Sequence, residues 1–526
     1  MLDKIKKIPL VFHTVKYLKP IQIYYQIYYR VRSMIGITPG FKGKEEQFLD
    51  LEWRDVVYNP TTLKGENTFE FLNLKKAFIP VIDWNEDSFG KLWTYNLNYF
   101  EYLNQENISS EQGQRLIQNF IEDYHLVKDG KEPYPTSLRI MNLMKFIGKN
   151  QLNDPSYFKL LKEDADRLMG TLEYHLLGNH LLENGFALWF VSHIFKDQKY
   201  YDKAIEILKS ELDEQILNDG AHFELSPMYH ILILYRLLDA VSLARTNDRA
   251  RPKEDLAYLV ETAERMLGWL YNVTYKNGTV PMVNDASPGI TISSNEIFVY
   301  ANALAIEKRC FPFSDSGYRK VATENFELFF DVGNIGPSYQ PGHAHSDTLS
   351  FEFHHQKKPI IVDTGISTYD KNETRQKERS TGAHNTVVIN NAEQSQVWGG
   401  FRVAKRASII DLKEEECSIT ATHDGYRENG MNHTRSFSWN SDEVYIRDSI
   451  SKPTEGNAKA IFHFDEHIEV EVHNMTARVG NIKIEFQGAN AINLQNYQLA
   501  KGFNKTVEAL KLVVGFDQIL TTKVSL

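Results

Sequence analysis

Four clusters of residues carry side chains that acid–base chemistry uses. In the first, Asn179-His180-Leu-Leu-Glu183, a helix that starts at Asn179 would be capped by that side chain. His180 and Glu183 would then share one helix face, because residues three apart are neighbours on a helix. Without other information, the cluster is also explained by Asn179 as a helix cap and by His180 and Glu183 as an exposed pair of side chains with no catalytic role.

The second cluster runs from His222 to His230 and includes Glu224 and Tyr229. Ser226 before Pro227 is typical of a helix start, because proline fits the first helical position. Tyr229 would lie in the first turn, where its hydroxyl faces either a cleft or the packed interior.

The third cluster is Gly342-His343-Ala-His345-Ser-Asp347, and two histidines two residues apart in a strand share a face. Asp363 ends the apolar run PIIVD, and His384 precedes the run NTVVI. His345, Asp363 and His384 together would supply two imidazoles and one carboxylate. Such a set suits Zn²⁺ with an open or water-filled fourth position, and it also suits hydrogen-bonded polar residues within a sheet.

The fourth cluster is basic and lies on both sides of Trp398. Its members are Lys371, Arg375, Lys377, Arg379, Arg402, Lys405 and Arg406. Arginine forks match carboxylate and sulfate groups, so the cluster predicts either an anion clamp or a solvated loop.

The chain around these clusters changes from a helical to a strand pattern near residue 320. Apolar residues recur at helical spacing over 155–176, 180–195, 199–217, 227–245 and 254–273. Short strand-like runs follow at 326–330, 349–353, 359–363, 386–389, 444–446, 461–464, 468–472 and 482–486, with a hairpin signal at Gly480-Asn481. Successive helices with short links pack as a bundle, solenoid or toroid, whereas closely spaced strands favour a β-sandwich. We therefore expect an α+β multidomain chain, divided into 1–44, 45–315 and 316–526.

Composition narrows the class of protein. The 526 residues carry 59 basic and 69 acidic side chains, and the net charge of −10 disfavours nucleic-acid binding. Cys310 and Cys417 allow one disulfide at most and exclude a cysteine metal framework. The sequence shows neither a long uncharged apolar run nor a signal-peptide pattern. This predicts a cytoplasmic protein, or a periplasmic one if a leader has been lost.

The arm at residues 1–44 differs in charge from the rest of the chain. It carries nine Lys or Arg against the single acid Asp3, and tyrosines lie between them. Such a segment predicts contact with a membrane surface or a partner, or else a docked helix with a solvated basic face.

The motifs NHLLEN, HFELSPMYH, GHAHSD, IIVDTG and AHNTVVIN, in this order, resemble the heparinase II/III-like family of polysaccharide lyases. The likeness extends from about residue 90 to the end and leaves the arm outside. It implies an N-terminal (α/α) toroid of helical hairpins followed by a C-terminal antiparallel β-sandwich. The implied reaction is β-elimination: a base removes the C5 proton of a uronic acid, and the glycosidic oxygen leaves from C4. The product then carries a C4=C5 double bond.

The same resemblance assigns roles to individual residues. Asn179 and His180 resemble the pair that neutralises the uronate carboxylate. Tyr229 resembles the tyrosine that protonates the leaving oxygen and takes the C5 proton of one epimer, while His343 resembles the base for the other epimer. It also implies a structural divalent metal, Zn²⁺ by its donors, on His345, Asp363 and His384, and likens Glu183 to a cleft glutamate of some members. Apart from the resemblance, we predict that Glu224, Arg379 and Trp398 belong to the substrate-binding region, with Glu224 orienting Tyr229 or the neighbouring helix and Arg379 contacting a substrate anion.

The expected partner is an anionic uronate polysaccharide or oligosaccharide, with glycosaminoglycans such as heparan sulfate, hyaluronan or chondroitin favoured. Three alternatives stay open. A toroid glycoside hydrolase would use two carboxylates, from Glu183, Glu224 or Asp285. A cupin-type metal enzyme would use the histidine pair, an acid and a distant histidine. A non-catalytic carbohydrate-binding protein of exopolysaccharide metabolism would need no aligned base.

Overall fold

The computed structural model describes residues 8–36, 48–247 and 251–526. Helices occupy most of the described chain before residue 304, and antiparallel sheets follow, as the change of pattern near residue 320 predicts. In these described ranges we find no helix whose length and apolar character would let it cross a bilayer.

The helical half starts with α1 (Ile8–Val15) and α2 (Pro20–Met34), which precede a hairpin of β1 (Thr68–Phe71) and β2 (Leu74–Ala77). The helices that follow are α3 (Lys91–Tyr99), α4 (Ser110–Asp123), α5 (Pro133–Asn150), α6 (Pro155–Met169), α7 (Gly178–Val191), α8 (Gln198–Gln215), α9 (Pro227–Thr246), α10 (Lys253–Val273) and α11 (Ser294–Ala303). Consecutive members pack on each other, as α7 does on α8 and α9 on α10. Their apolar faces form one core that includes Trp93, Trp189 and Trp269.

Three helix boundaries differ from the sequence patterns, one of them the end of α7, which lies at Val191 instead of near residue 195. The pattern over 155–176 predicted one helix, but α6 ends at Met169, and Gly170 closes its last turn by donating to the carbonyls of that turn. Helix α7 begins at Gly178 instead of Asn179, because the chain turns at Leu177 and Gly178, whose φ angles are 61° and 59°. The prediction that Asn179 caps this helix is therefore wrong, and its side chain is left to face the cavity described below.

The second half consists of strands. They are β3 (Tyr318–Ala322), β4 (Phe326–Asp331), β5 (Phe351–His355), β6 (Lys358–Ile361), β7 (Val387–Ile389), β8 (Val397–Trp398), β9 (Arg402–Val403), β10 (Ile409–Glu415), β11 (Ser418–His423), β12 (His433–Trp439), β13 (Glu443–Ile450), β14 (Ala458–His463), β15 (Glu471–His473), β16 (Thr476–Val479), β17 (Ile482–Ala500) and β18 (Thr506–Ser525), with helix α12 (Glu373–Glu378) before β7. One sheet has the order β3-β4-β5-β6. The other has the order β10-β11-β12-β13-β18-β17-β16-β15, with β14 joining β18 to β7.

The two sheets share a core. Phe330 of β4 stacks on Phe437 of β12 with 4.5 Å between ring centroids, so the inner faces of the sheets meet. The hairpin predicted at Gly480-Asn481 is confirmed, since Val479 pairs with Ile482 across that turn. Strand β17 is longer than the alternating pattern at 482–486 predicted, because its pairing with β18 continues past bulges near Gln487 and Ala489. The sequence patterns predicted no strand at β18.

Polar side chains join the helical half to the four-stranded sheet. The hydroxyl of Tyr275, just after α10, donates to Glu352 of β5 at 2.8 Å. The hydroxyl of Tyr318 on β3 donates to the carbonyl of Leu225, just before α9, at 2.6 Å. These contacts hold the start of α9 against the β half.

Candidate active site

A cavity of about 640 Å³ lies where the two halves meet. Asn179, His180, Tyr229 and His343 all line it, although they come from widely separated parts of the chain. The fold therefore brings together the four residues that the sequence analysis predicted to be catalytic.

The first turn of α7 forms one wall of this cavity through Asn179 and His180. The Nδ1 atom of His180 lies 3.0 Å from a carboxylate oxygen of Glu173. Burial opposes the charged imidazolium, but the adjacent Glu173 carboxylate outweighs it, so the pKa of His180 is raised. A protonated His180 beside the N-terminal amides of a helix favours a bound carboxylate.

Tyr229 is the third residue of α9 and follows Ser226 and Pro227, as predicted. Its hydroxyl lies 2.9 Å from the hydroxyl of Tyr369. Burial, followed by the neighbouring Tyr369 and Asp285, raises the pKa of Tyr229 well above its ordinary value. The phenol therefore keeps its proton near neutral pH and is suited to act as a general acid.

The imidazole of His343 lies beside this phenol, with 4.0 Å between the two ring centroids. Its Nδ1 atom lies 2.8 Å from a carboxylate oxygen of Asp285. A carboxylate only accepts hydrogen bonds, so Nδ1 must carry the proton of the neutral ring. The Nε2 atom then holds a free lone pair, which is what a general base needs.

Asp285 connects several parts of the site. One of its oxygens accepts from Nε2 of His345 at 2.8 Å, and both terminal nitrogens of Arg375 donate to its carboxylate. Burial opposes ionisation of Asp285, but Arg375 and the two histidines hold its pKa well below the ordinary range. The sequence analysis had considered Asp285 only as a hydrolase carboxylate, and its saturated hydrogen bonding indicates a positioning role.

The predicted metal ligands are only partly assembled. His345 donates through Nε2 to Asp285, and His384 pairs through Nδ1 with Asp363 at 2.7 Å. Nδ1 of His345 and Nε2 of His384 are buried without a hydrogen-bond partner among the described residues. Burial lowers the pKa of His345 to about 3, so this ring is neutral, as a metal ligand must be. The two ring centroids lie 5.2 Å apart. Burial opposes the charged form of His384, but the adjacent Asp363 carboxylate raises the pKa of that ring.

Asp363 occupies a different place from the one predicted. Within residues 8–36, 48–247 and 251–526, the one group of three potential ligands with atoms within 4.8 Å of each other is Asp465, Glu466 and His467. Asp363 accepts a hydrogen bond from Nδ1 of His384 at 2.7 Å and so fixes the orientation of that ring.

The two predicted substrate-binding glutamates lie behind the cavity wall, which is formed by other parts of the described chain. An oxygen of Glu183 lies 3.4 Å from Nε of Arg236, and an oxygen of Glu224 lies 3.9 Å from Nε2 of His343. Both carboxyls are buried, and burial raises both pKa values, that of Glu183 to about 7. They are placed to adjust Arg236 and His343, not to touch a substrate directly.

The members of the basic cluster lie in different environments in the folded protein: some are buried and Arg402 lines the cavity. Arg379 is buried and donates to the carbonyls of Ala344 and Gly400, so its prediction as an anion contact is not supported by its position. Trp398 lines the cavity as expected, and Arg402 lies there too, with its guanidinium 4.8 Å from the Trp398 ring. Arg402 is the better placed arginine for a substrate anion.

Two cavity residues were missed by the sequence analysis. Arg236 lies two helical turns after Tyr229 in the apolar run ILILYRLLDAV, and a charged residue inside such a run was the available signal. Tyr369 belongs to a loop after β6, and no local pattern distinguishes it from other tyrosines.

Comparisons with known proteins agree with this arrangement. The chain matches "Heparinase II/III N-terminus" over residues 138–308 and "Heparinase II/III-like, C-terminal" over residues 305–525. It is 24% identical over 249 residues to a heparin-sulfate lyase of Bacteroides stercoris. The aligned stretch covers 42% of this chain and 37% of that relative. It is also 24% identical over 386 residues to a heparin-sulfate lyase of Bacteroides thetaiotaomicron. This aligned stretch covers 64% of this chain and 53% of that relative. The chain thus spans about two fifths to one half of these relatives' lengths.

Solved structures share its fold. A heparinase III crystal structure superimposes on this chain with a TM-score of 0.67 at 15% sequence identity. The superposition covers 96% of this chain and 91% of the heparinase III chain. A mutant of the heparan sulfate lyase HepC from Pedobacter heparinus has a TM-score of 0.60 at 17% identity, with 96% and 88% covered. The two family matches span both halves and include every cavity residue predicted to be catalytic, so this chain belongs to the heparinase II/III-like family.

Proposed function

We propose that this chain is a polysaccharide lyase that cleaves a uronic-acid polysaccharide by β-elimination. The observation that carries the proposal is the contact between Tyr229 and His343, whose ring centroids lie 4.0 Å apart, with Asp285 bound to Nδ1 of His343 so that Nε2 is left to act as the base. Asn179 and His180 on the same cavity wall supply the anion-binding groups that the reaction needs.

In the proposed reaction, the uronate carboxylate binds to His180 and Asn179, which lowers the cost of forming the aci-enolate. Nε2 of His343 takes the C5 proton, and the electron pair of that C–H bond becomes the C4=C5 double bond. The C4–O bond breaks, and the leaving oxygen takes the phenolic proton of Tyr229. The proton on His343 then returns to Tyr229, so both residues regain their starting states.

The raised pKa of Tyr229 favours its role as the acid. An epimer whose C5 proton faces Tyr229 would need the phenolate as base, which burial disfavours. We therefore expect a preference for the epimer whose C5 proton faces His343.

The substrate class is proposed from cavity charge and from the relatives. His180, Arg236 and Arg402 line the cavity and suit a polyanion, and the curated relatives are named heparin-sulfate lyases. A glycosaminoglycan is therefore the first substrate to test. We also propose that the helical half closes into the (α/α) toroid, and the two sheets into the β-sandwich, of the family.

A structural metal ion is a further part of the proposal. His345 and His384 would hold it through their free ring nitrogens, and imidazole donors suit Zn²⁺. A bound ion would supply a cross-link between the segment that carries His343 and the loop before β7. Asp285 and Asp363 fix the tautomers of the two ligands.

The hydrolase alternative is disfavoured by its carboxylates. Asp285 is saturated by Arg375 and two histidines, and Glu183 and Glu224 lie behind the wall that the described residues form. A glycosidase needs two carboxyls that flank the scissile bond directly.

The test is growth of ultraviolet absorbance from the conjugated C4=C5 bond over a panel of uronate polysaccharides. We expect absorbance with at least one polysaccharide and its loss in Tyr229→Phe. Tyr445→Phe, which removes a hydroxyl on β13, is the matched control and should retain activity. Reducing ends that accumulate without absorbance would instead identify a hydrolase.

A further inference from the structure

Helix α2 docks on the protein through its polar side. Gln22 donates to the carbonyl of Leu176 at 3.0 Å, and Tyr29 donates to the carbonyl of Leu172 at 2.5 Å. Arg32 donates to the carbonyl of Gly170, and the ring of Tyr25 stacks on Tyr174 at 4.8 Å between centroids. These inward residues are Gln22, Tyr25, Tyr29 and Arg32, which share one helix face by their spacing.

The opposite face of α2 is apolar and exposed. It consists of Tyr24, Ile27, Val31 and Met34, which have the same spacing as the inward residues. Ile27 is 58% exposed and Met34 is 84% exposed, while Ile23 and Tyr28 extend the face to either side. A surface helix of a soluble protein normally buries its apolar side, so the orientation of α2 is inverted.

The positive charge of the N-terminal segment indicates which kind of partner this apolar face would bind. Residues 1–44 carry nine basic side chains and one acid, whereas the whole chain carries −10. Lys16 and Arg30 are exposed in the described part of this segment. A basic segment with an apolar, tyrosine-containing helix face matches the interface of an anionic bilayer, where lipid headgroups and acyl chains meet. A symmetric contact between two copies would bring like charges together.

We propose that α2 binds an anionic lipid bilayer by lying in its surface with Tyr24, Ile27, Val31 and Met34 inserted. This inference is independent of the proposed lyase activity. The helix stays attached to the protein through its polar face while its apolar face enters the bilayer.

The N-terminal segment that carries this face also borders the cavity. Val11, Thr14, Val15, Leu18 and Gln26, from α1, α2 and the link between them, line the cavity wall. Nε1 of Trp398 donates to the Thr14 hydroxyl at 3.2 Å, and the guanidinium of Arg406 lies 3.9 Å from the Tyr17 ring centroid. The two N-terminal helices thus contact both halves, and bilayer binding would hold the cavity next to the membrane surface.

The experiment is co-sedimentation of the full chain with phosphatidylcholine vesicles, with and without phosphatidylglycerol. We expect binding that requires phosphatidylglycerol and weakens with added salt. The pair Ile27→Ser and Val31→Ser should weaken binding by about tenfold or more, because two inserted apolar side chains are lost. The pair Ile410→Ser and Ile519→Ser, exposed apolar residues of the β half, is the matched control and should bind as the unmodified chain does.

A second pair, Lys16→Glu and Arg30→Glu, tests the charge without touching the apolar face. We expect each reversal, which changes the charge by two units, to weaken binding by about 25-fold. The proposal is overturned if the chain binds neither vesicle, or if the Ile27→Ser and Val31→Ser pair binds as tightly as the control pair. It is also overturned if sedimentation shows a dimer that the Ile27→Ser and Val31→Ser pair abolishes, since the face would then join two copies.

Discussion

Replacing Glu183 with glutamine provides a direct test of the electrostatics behind the cavity. The carboxyl of Glu183 is buried, and Arg236, its nearest charged partner, also pairs with Glu101 at 2.8 Å. Burial raises the pKa of Glu183 from an ordinary 4.5 to about 7. Glu183→Gln keeps the shape of the side chain and removes its titration.

The sign and size of the effect follow from this pKa. A raised carboxyl pKa means that the folded state holds a proton that the unfolded chain releases. The stabilisation is therefore complete below about pH 4.5 and is lost as the pH rises through about 7. At about 1.4 kcal/mol per pKa unit, ionisation of Glu183 costs the folded state about 3 kcal/mol.

The assay is denaturant unfolding followed by helical circular dichroism at about pH 5 and about pH 8. We expect the unmodified chain to lose about 2.5 kcal/mol of unfolding free energy relative to Glu183→Gln between the two pH values, because a smaller part of the loss already occurs below about pH 5. The exposed Glu416→Gln is the control and should show no such change. A difference between unmodified chain and Glu183→Gln that stays constant with pH would refute the reasoning, since Glu183 would then be ionised throughout.

Three further predictions address the cavity. Asp285→Asn leaves Arg375 buried without its carboxylate and should lower the unfolding free energy by about 3–5 kcal/mol; an unchanged thermal midpoint would contradict this. Tyr369→Phe removes one hydrogen bond to the Tyr229 phenol, the proposed acid, and should lower kcat by about tenfold on a cleaved polysaccharide, whereas an unchanged kcat would exclude that contact from catalysis. His384→Ala should reduce bound zinc, measured by elemental mass spectrometry, to background, while the exposed His125→Ala retains it; equal zinc in both variants would argue against the site.

Much of the helical half follows from local patterns. The predicted helices at 199–217, 227–245 and 254–273 agree with the structure to within two residues. Their apolar residues recur at helical spacing, and Ser226-Pro227 and Asn218-Asp219-Gly220 mark ends by local chemistry. The start of α7 was displaced because positive φ angles at Leu177 and Gly178 are not visible in an apolar pattern.

The sequence by itself determined which side chains have suitable chemistry, because residue type and spacing are local properties. Type and spacing drew attention to the clusters that contain Asn179, His180, Tyr229 and His343, and the resemblance of the ordered motifs to the family supplied their catalytic roles; all four line the cavity. Only the tertiary structure decided which groups these residues work with.

Asp285 and His343 meet across 58 residues of chain, and Tyr229 and Tyr369 meet across 140. The guanidinium of Arg379 points inward and donates to backbone carbonyls, although an arginine in a basic cluster had suggested an anion clamp. Such pairings depend on how α9, α12 and the loop before β5 pack together. No local pattern records this packing, because the partners are distant in sequence.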